Sequence, residues 1–452
     1  MHEVVTIETT GLGDRSYLIH DGNTAVVVDP QRDLDRVLLA AQASAVRITL
    51  ILETHIHNDY VTGGLALAEA TGADYVVAAT EDVGFHRTAA RNGDQFTFGS
   101  LALTAVSTPG HTPGHLSYVL HDSTSHPVAV FTGGSMLFGA VGRTDLISAD
   151  QTEWLTRAQY RSVRRLAEEL PDDVAVYPTH GFGSFCSATP TSGSSSTIGQ
   201  ERRANVALTG DEDGFVRNLI AGLVAYPRYY THMGPANRSG PPAPDLSVPR
   251  TADAAELQRR MQAGEWVVDV RQRRAFASSH LTGSISVELG DPFATYLGWT
   301  MRWGTPLTLI GDTPEQVAEA QRQLTRIGID HLEAAATGGP DELAAGPLSS
   351  YAVSDFAGLA AQWGQNGIVV LDVRRLDEWQ AGHLGGAVHI PFWEIEERAG
   401  EVPPGQVWVH CASGFRASIS ASLLARAGRQ VIHIDDDWEH AAPLSLPVTT
   451  MR

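Results

Sequence analysis

The stretch Glu53–Gly64, ETHIHNDYVTGG, sets His55, His57 and Asp59 within five residues of one another. Its His-x-His alternation follows an apolar run and puts both imidazoles on one side of an extended segment, where Asp59 can join them. His111, in TPGHTPGH, and His180, in YPTHG, each follow a later apolar run. Imidazole and carboxylate donors carried from several strand ends to one rim can hold zinc or iron. A second chemistry lies near the C-terminus, where QVWVH runs into CASGFRASISASLLARAG. Cys411 there ends a buried strand, small residues follow, and Arg416 stands at the head of a helix. Loop amides and the helix dipole converge on such a position and favour a sulfur anion, the nucleophilic form of cysteine.

These groups need strands to hold them. Up to residue 237, short apolar runs are bounded by Gly, Pro or Asp: TAVVVDP, RITLILETH, YVVAAT, LALTAVSTPGH, LSYVL, VAVFTGG and VAVYPTHG. They read as strands of a two-sheet core. TEWLTRAQYRSVRRLAEEL and GFVRNLIAGLVAYPRYY read as helices, the latter closing the domain, and Ser187–Gln200 reads as a loop. Arg238–Arg250 is proline-rich and reads as a semi-rigid linker. Beyond it the sequence repeats. Asp269/Asp372, Arg271/Arg374, Phe276/Trp379, His280/His383 and Gly283/Gly386 share one offset of 103 positions. Each copy reads as strand, helix, strand, the unit of a parallel sheet. The expected domains are 1–237, a linker at 238–250, a first copy at 251–346 and a second at 350–448.

Composition narrows the choices. A net charge of −20 argues against a nucleic-acid partner. All 32 basic residues are arginine, which removes Schiff-base lysine chemistry and the P-loop. Two cysteines, Cys186 and Cys411, exclude a disulfide framework. No apolar run has the length of a membrane helix, and the opening residues lack a basic segment followed by an apolar core. No membrane partner and a cytoplasmic location are therefore expected.

The second copy resembles the rhodanese (sulfurtransferase) domain, through DVRRLDEWQAGHLGGAVHIP and the loop CASGFR. The resemblance implies that Cys411 is the nucleophile and carries sulfane sulfur as a persulfide. It implies a substrate-binding loop of Ala412, Ser413, Gly414 and Phe415, with Arg416 as a catalytic residue at its edge. Only four residues separate Cys411 from Arg416, one fewer than in the phosphate loops of the related dual-specificity phosphatases, which favours the smaller sulfur acceptor. The matching strand of the first copy ends in Gly311-Asp312 with no thiol, so that copy is expected to be non-catalytic. Arg374 is expected to pair with an acidic residue, and His280 and His383 to be structural residues at helix starts.

The N-terminal part resembles the metallo-β-lactamase superfamily, through its H-x-H-x-D run, the later histidines, VVVDP and GRTDL. Fused to rhodanese domains, it is most similar to persulfide dioxygenases. The fold implied is α/β: an αββα metallo-β-lactamase sandwich followed by two α/β rhodanese domains with parallel sheets. The cofactor implied is one Fe(II) held by two histidines and an aspartate, with zinc as the alternative. Candidate metal ligands are His55, His57, Asp59, His111 and His180. The sequence departs from the family at Tyr60, where the motif ends in histidine, and at Gly134, where relatives carry the iron-binding aspartate. By correspondence, His55 and His111 alone remain of the triad. Three outcomes stay open: His57 or Asp59 takes the third position, the metal is held weakly with water in the gap, or the domain binds no metal. Cys186 is either a sulfur acceptor or a packing side chain. Arg143 and Asp145 are expected to pair, and His86, His115, His121 and His126 read as ordinary.

The function implied is oxidation of a low-molecular-weight thiol persulfide by O2 to sulfite and thiol. It is combined with sulfur transfer through Cys411 among persulfide, thiosulfate, sulfite and thiol. The alternatives are a zinc-dependent thioester hydrolase of the glyoxalase II type, or a sulfurtransferase with a metal-free binding module. Assembly into a homo-oligomer is left open.

Overall fold

Side-chain alternation in the first strands dictates the layering. Along Asp14–His20 and Thr24–Val28, Tyr17, Ile19, Val26 and Val28 enter one core, while Leu18, Ala25 and Val27 enter another. A sheet apolar on both faces must be covered on both. The structure, a computed structural model, describes residues 2–189, 191 and 193–450. Its first sheet runs in sequence order through Glu3–Thr9, Asp14–His20, Thr24–Val28, Arg47–Leu52, Asp74–Ala78 and Thr88–Ala90. The first three are antiparallel and the rest continue in parallel. The second sheet is ordered Ser196–Thr197, Ala175–Pro178, Pro127–Gly133, Leu116–His121, Leu101–Ser107, Gln95–Phe98.

The two sheets enclose Tyr17, Val26, Leu52 and Val76 against Leu103, Tyr118, Leu120 and Phe131. Val37 and Ala41 of the helix Leu34–Ala43 and Leu67 of Gly64–Thr71 cover the outer face of the first sheet. Val163 and Leu166 of Thr152–Glu169 and Phe215 and Leu219 of Glu212–Ala221 cover the second. This is the expected αββα sandwich.

Three local features differ from the sequence reading. The hairpin Glu3–Thr9/Asp14–His20 adds two strands. The single closing helix is two, Glu212–Ala221 and Tyr230–Ser239, because Gly222 ends the first and Pro227 precedes the second. The expected loop at Ser187–Gln200 ends in the strand Ser196–Thr197 and the start of the helix Ile198–Ala204, whose Thr197 and Gln200 form a capping box.

The repeat is equally plain in the C-terminal half. The first copy has a parallel sheet ordered Ile285–Ser286, Trp266–Asp269, Leu307–Gly311, Ala334–Thr337. The second orders Val388–His389, Ile368–Asp372, Gln406–His410, Val431–Ile434 in the same way and adds Ala352–Ser354. Two compact units result: Met1–Pro244 with Thr325–Gly328, and Asp245–Leu324 with Ile329–Arg452. No helix among the described residues is long and apolar enough to cross a membrane.

Candidate functional site

The histidine rim sits at strand ends. Arg47–Leu52 delivers Glu53 through Tyr60, Leu101–Ser107 leads to His111 and His115, Ala175–Pro178 leads to His180, and Thr24–Val28 leads to Asp29. None of Asp14, Asp29, Glu53, His55, His57, Asp59, His111, His115 or His180 is more than 2% exposed. Burial makes the partners decisive, because an unpaired charge here would be costly.

His180 is the hub. Its Nδ1 lies 2.8 Å from Asp14 Oδ1 and 3.1 Å from Asp59 Oδ2, and its Nε2 lies 3.3 Å from His55 Nε2. His55 Nδ1 lies 2.9 Å from Thr54 Oγ1, whose hydroxyl donates to Asp29 Oδ2 at 2.7 Å. His57 Nε2 lies 3.3 Å from both Asp29 Oδ1 and Glu53 Oε2 and 3.0 Å from the Tyr60 hydroxyl, while its Nδ1 is buried without a partner. Tyr60 stacks on His57 with ring centroids 4.3 Å apart. His111 Nδ1 donates to the Arg143 carbonyl at 2.7 Å, and its Nε2 is buried and unpartnered.

These contacts bias the protonation of each group. Burial alone would lower His57, but Asp29 and Glu53 lift it to about 9. Burial likewise opposes the His180 charge, and Asp59 and Asp14 outweigh it, holding the imidazole well above its ordinary value. Burial and then its neighbouring imidazoles keep His55 well below. Burial and then the His180 charge bring His111 down to about 3. Asp14 is pushed up by burial and by Asp59, whereas His180 overcomes burial to hold Asp59 below the usual carboxylate range. Without an ion, these contacts favour the protonated forms of His57 and His180 and the neutral forms of His55 and His111; an ion would displace one proton from each charged ring.

The donor set suits a metal in one form and rejects another. Two nitrogens bound to one tetrahedral ion stand about 3.3 Å apart, which is the separation of His55 Nε2 from His180 Nε2. His57 Nδ1 and His111 Nε2 are buried without a hydrogen-bond partner. A two-histidine-one-carboxylate arrangement with its carboxylate at position 134 does not fit. A Cβ at Gly134 would overlap the His111 ring and lie 2.6 Å from its Cγ, so the imidazole fills the space a carboxylate there would use. Ligand atoms of His55, His57 and His180 lie within 4.8 Å of one another, as do those of His111, His180 and Cys186, and of Asp14, Asp59 and His180.

Several members escaped the sequence reading. His115, read as ordinary, stacks on His55 at 4.9 Å and accepts the Gly134 N–H at 3.1 Å. Its spacing from His111 was the available signal. Asp14 opens a strand that was not recognised, and Asp29 and Glu53 are strand-end carboxylates that only pairing reveals. Cys186 is buried, and burial with Asp59 and Asp14 pushes its thiol well up. Arg143 and Asp145 pair through two bonds of 2.7 and 2.8 Å. That arginine also holds the Val224 carbonyl at 2.8 Å, in the break between the two closing helices.

In the second unit, four residues join the strand Gln406–His410 to the helix Phe415–Arg426. Cys411 is 1% exposed at the strand end, and Ser413 is the exposed point of the loop. Arg416 forms a two-bond ion pair with Glu378 at 2.6 and 2.8 Å. Burial would lower its pKa, but Glu378, with Cys411 and Tyr296 nearby, raises it, so its charge is fixed beside the sulfur. Gly414 adopts φ +88°, and a Cβ there would overlap Asp435. Its carbonyl is held at 2.9 Å by His433 Nε2. Arg374 pairs with Asp372 as expected, but His280 and His383 stand at helix ends, not starts. Their Nδ1 groups lie 2.8 and 2.9 Å from the carbonyls of Phe276 and Trp379.

The thiol-free copy braces this loop. Arg273 Nε bonds Asp435 Oδ1 at 2.7 Å, Arg274 bonds its other oxygen, and Tyr296 packs on Phe415 with centroids 5.5 Å apart. Asp435→Ala should therefore loosen the Gly414 turn. Sulfur-transfer kcat should fall roughly tenfold to a hundredfold, as expected for about 1 Å of misplacement, with Asp435→Asn partly rescuing it. Unchanged kcat in the alanine variant would show that the brace has no effect on the loop.

Sandwich, histidine rim and cysteine loop together define a metallo-β-lactamase-fold domain joined to rhodanese domains. The Metallo-beta-lactamase superfamily model matches residues 10–180, and the Rhodanese-like domain model matches 253–339 and 356–441. Mitochondrial persulfide dioxygenase ETHE1 of Homo sapiens is 30% identical over 232 residues, 50% of this chain and 81% of that protein. A hydroxyacylglutathione hydrolase of Cereibacter sphaeroides is 35% identical over 189 residues, 40% of this chain and 67% of that one. A solved metallo-beta-lactamase structure from Staphylococcus aureus subsp. aureus COL aligns with TM-score 0.67 and 26% identity, covering 75% of this chain and 99% of that one. The chain belongs to the metallo-beta-lactamase superfamily, with an N-terminal domain homologous to persulfide dioxygenases and two rhodanese-like domains after it. It is an enzyme with sulfur-transfer domains.

Proposed function

We propose that the chain handles sulfane sulfur in two places, transferring it through Cys411 and oxidising a low-molecular-weight thiol persulfide in the N-terminal domain. The observation that carries the first part is the placement of Cys411 at the head of a helix, with the Arg416 charge held beside it by Glu378. Deprotonated Cys411 attacks the outer sulfur of thiosulfate, the S–S bond to sulfite breaks, and sulfite leaves with the electron pair. A thiol or cyanide then attacks the outer sulfur of the Cys411 persulfide, and the cysteine sulfur leaves as the anion. Arg416 offsets the negative charge of donor and leaving group, and the loop Ala412–Phe415 encloses the transferred atom.

The second part is supported by the likeness to persulfide dioxygenase ETHE1 and by the donor chemistry of the histidine rim. The overall reaction balances as persulfide plus O2 plus water giving thiol, sulfite and two protons. A redox-active ion such as Fe(II), bound by the imidazoles around His180, would supply the site where sulfur and dioxygen react. Asp14 and Asp59 orient the His180 ring, Thr54 orients His55, and the buried walls exclude water. The zinc thioester-hydrolase reading is weaker, because Tyr60 and Gly134 remove parts of a dinuclear site.

Oxygen uptake and sulfite release on adding glutathione persulfide to anaerobically purified protein, alongside thiocyanate formation from thiosulfate and cyanide, test the two halves. Both activities are expected. Thiocyanate formation without oxygen uptake would leave a sulfurtransferase with an N-terminal binding domain and reject the second half.

A further inference from the structure

We propose that this chain has a three-imidazole site for a divalent transition ion, formed by His55, His57 and His180, in which His180 replaces the missing carboxylate. This rests on the reading that the N-terminal domain is metal-dependent, and it names the ligands. Position 134 cannot supply a ligand, and His111 lies over it. The ligand atoms of His55, His57 and His180 are mutually within 4.8 Å, and no such group joins His55 to His111 among the described residues.

Each ring of the trio is held from behind. Thr54 Oγ1 engages His55 Nδ1 at 2.9 Å, Asp14 and Asp59 engage His180 Nδ1 at 2.8 and 3.1 Å, and Asp29 and Glu53 engage His57 Nε2 at 3.3 Å. Metal-binding histidines almost always have the far nitrogen fixed in this way, which sets the tautomer and aims the other nitrogen. The nitrogens left for an ion are His55 Nε2 and His180 Nε2, 3.3 Å apart, and His57 Nδ1, which is buried with no protein partner. Asp14 and Asp59 hold the His180 ring, and Asp29 and Glu53 the His57 ring, by the nitrogen opposite the one offered to the ion. Three neutral ligands leave the ion its full charge and open positions, which suits an anionic sulfur donor better than a carboxylate-bearing set would.

Cobalt(II) titration of chelator-stripped full-length protein under anaerobic conditions, followed by visible absorption and by metal content, tests this. One cobalt per chain is expected, with affinity reduced at least tenfold in His180→Gln and in His57→Gln, by analogy with lost supporting groups. Circular dichroism and melting temperature separate ligand loss from unfolding, and His180→Asn provides a second variant. The proposal is overturned if the wild-type protein takes up no cobalt. It is also overturned if folded His180→Gln binds as tightly as wild type, or if His111→Gln loses the metal while His180→Gln keeps it. Stoichiometric His180-dependent metal without oxygen uptake on persulfide would keep this site and reject the oxidation reading.

Discussion

Cys411→Ser should reduce thiocyanate formation from thiosulfate and cyanide by at least about three orders of magnitude, the scale seen when a catalytic nucleophile is removed. Serine keeps the size and packing of a residue that is 1% exposed, so the strand Gln406–His410 and the helix Phe415–Arg426 should be undisturbed. Its hydroxyl cannot accept sulfane sulfur in exchangeable form. Mass spectrometry of the wild-type protein after thiosulfate should show one added sulfur on the peptide containing Cys411, and none in the variant. Substantial turnover in the serine variant would remove Cys411 from the mechanism. The remaining thiol, Cys186, is buried in the other unit and has its thiol form favoured by burial and by Asp59 and Asp14.

Asp372→Ala should cost about 3–5 kcal/mol in the second rhodanese domain, the penalty for stranding one member of a buried ion pair. Arg374, 3% exposed, bonds the Asp372 carboxylate through Nε at 3.0 Å and Nη2 at 2.5 Å, and its Cζ lies 3.9 Å from the Trp438 ring centre. The same pair recurs as Asp269 and Arg271, with Nη2 to Oδ2 at 2.7 Å. The wild-type pair also carries a pH dependence. Burial alone would raise the Asp372 pKa, but His410 and Arg374 outweigh it and hold the carboxyl below its ordinary value. A carboxyl lowered in the folded state adds stability that is fully present above its unfolded pKa, about 3.9. That contribution is lost as pH falls below that value through the folded pKa. Guanidinium unfolding at several pH values should show the wild-type advantage over Asp372→Ala shrinking below about pH 4. An advantage independent of pH would mean that the pair is not the source.

Much of this was legible because it depends on short range in the chain. The 103-residue offset exposed the tandem copies, since each pair of matching residues performs the same local task. The Asp-x-Arg pairs span two residues, and the Cys411 loop is one turn between a strand and a helix. The expectation that His280 and His383 start helices failed at the same scale, because spacing alone does not say on which side of the helix the histidine lies. Both close the helix before them by bonding carbonyls four residues back.

Sequence by itself determined the residue types: a histidine-rich rim on strand ends, one thiol at a helix head, a lysine-free acidic chain, and a glycine at position 134. Only the tertiary structure decided which of these groups meet. Asp14 and Asp59 reach His180 across 166 and 121 positions of chain, and Arg273 reaches Asp435 across 162. Such contacts are set by how sheets stack and which strand ends share an edge, information carried by the whole core and not by the neighbours of any one residue. The same packing puts the His111 ring against Gly134, in the space that a side chain at that position would need.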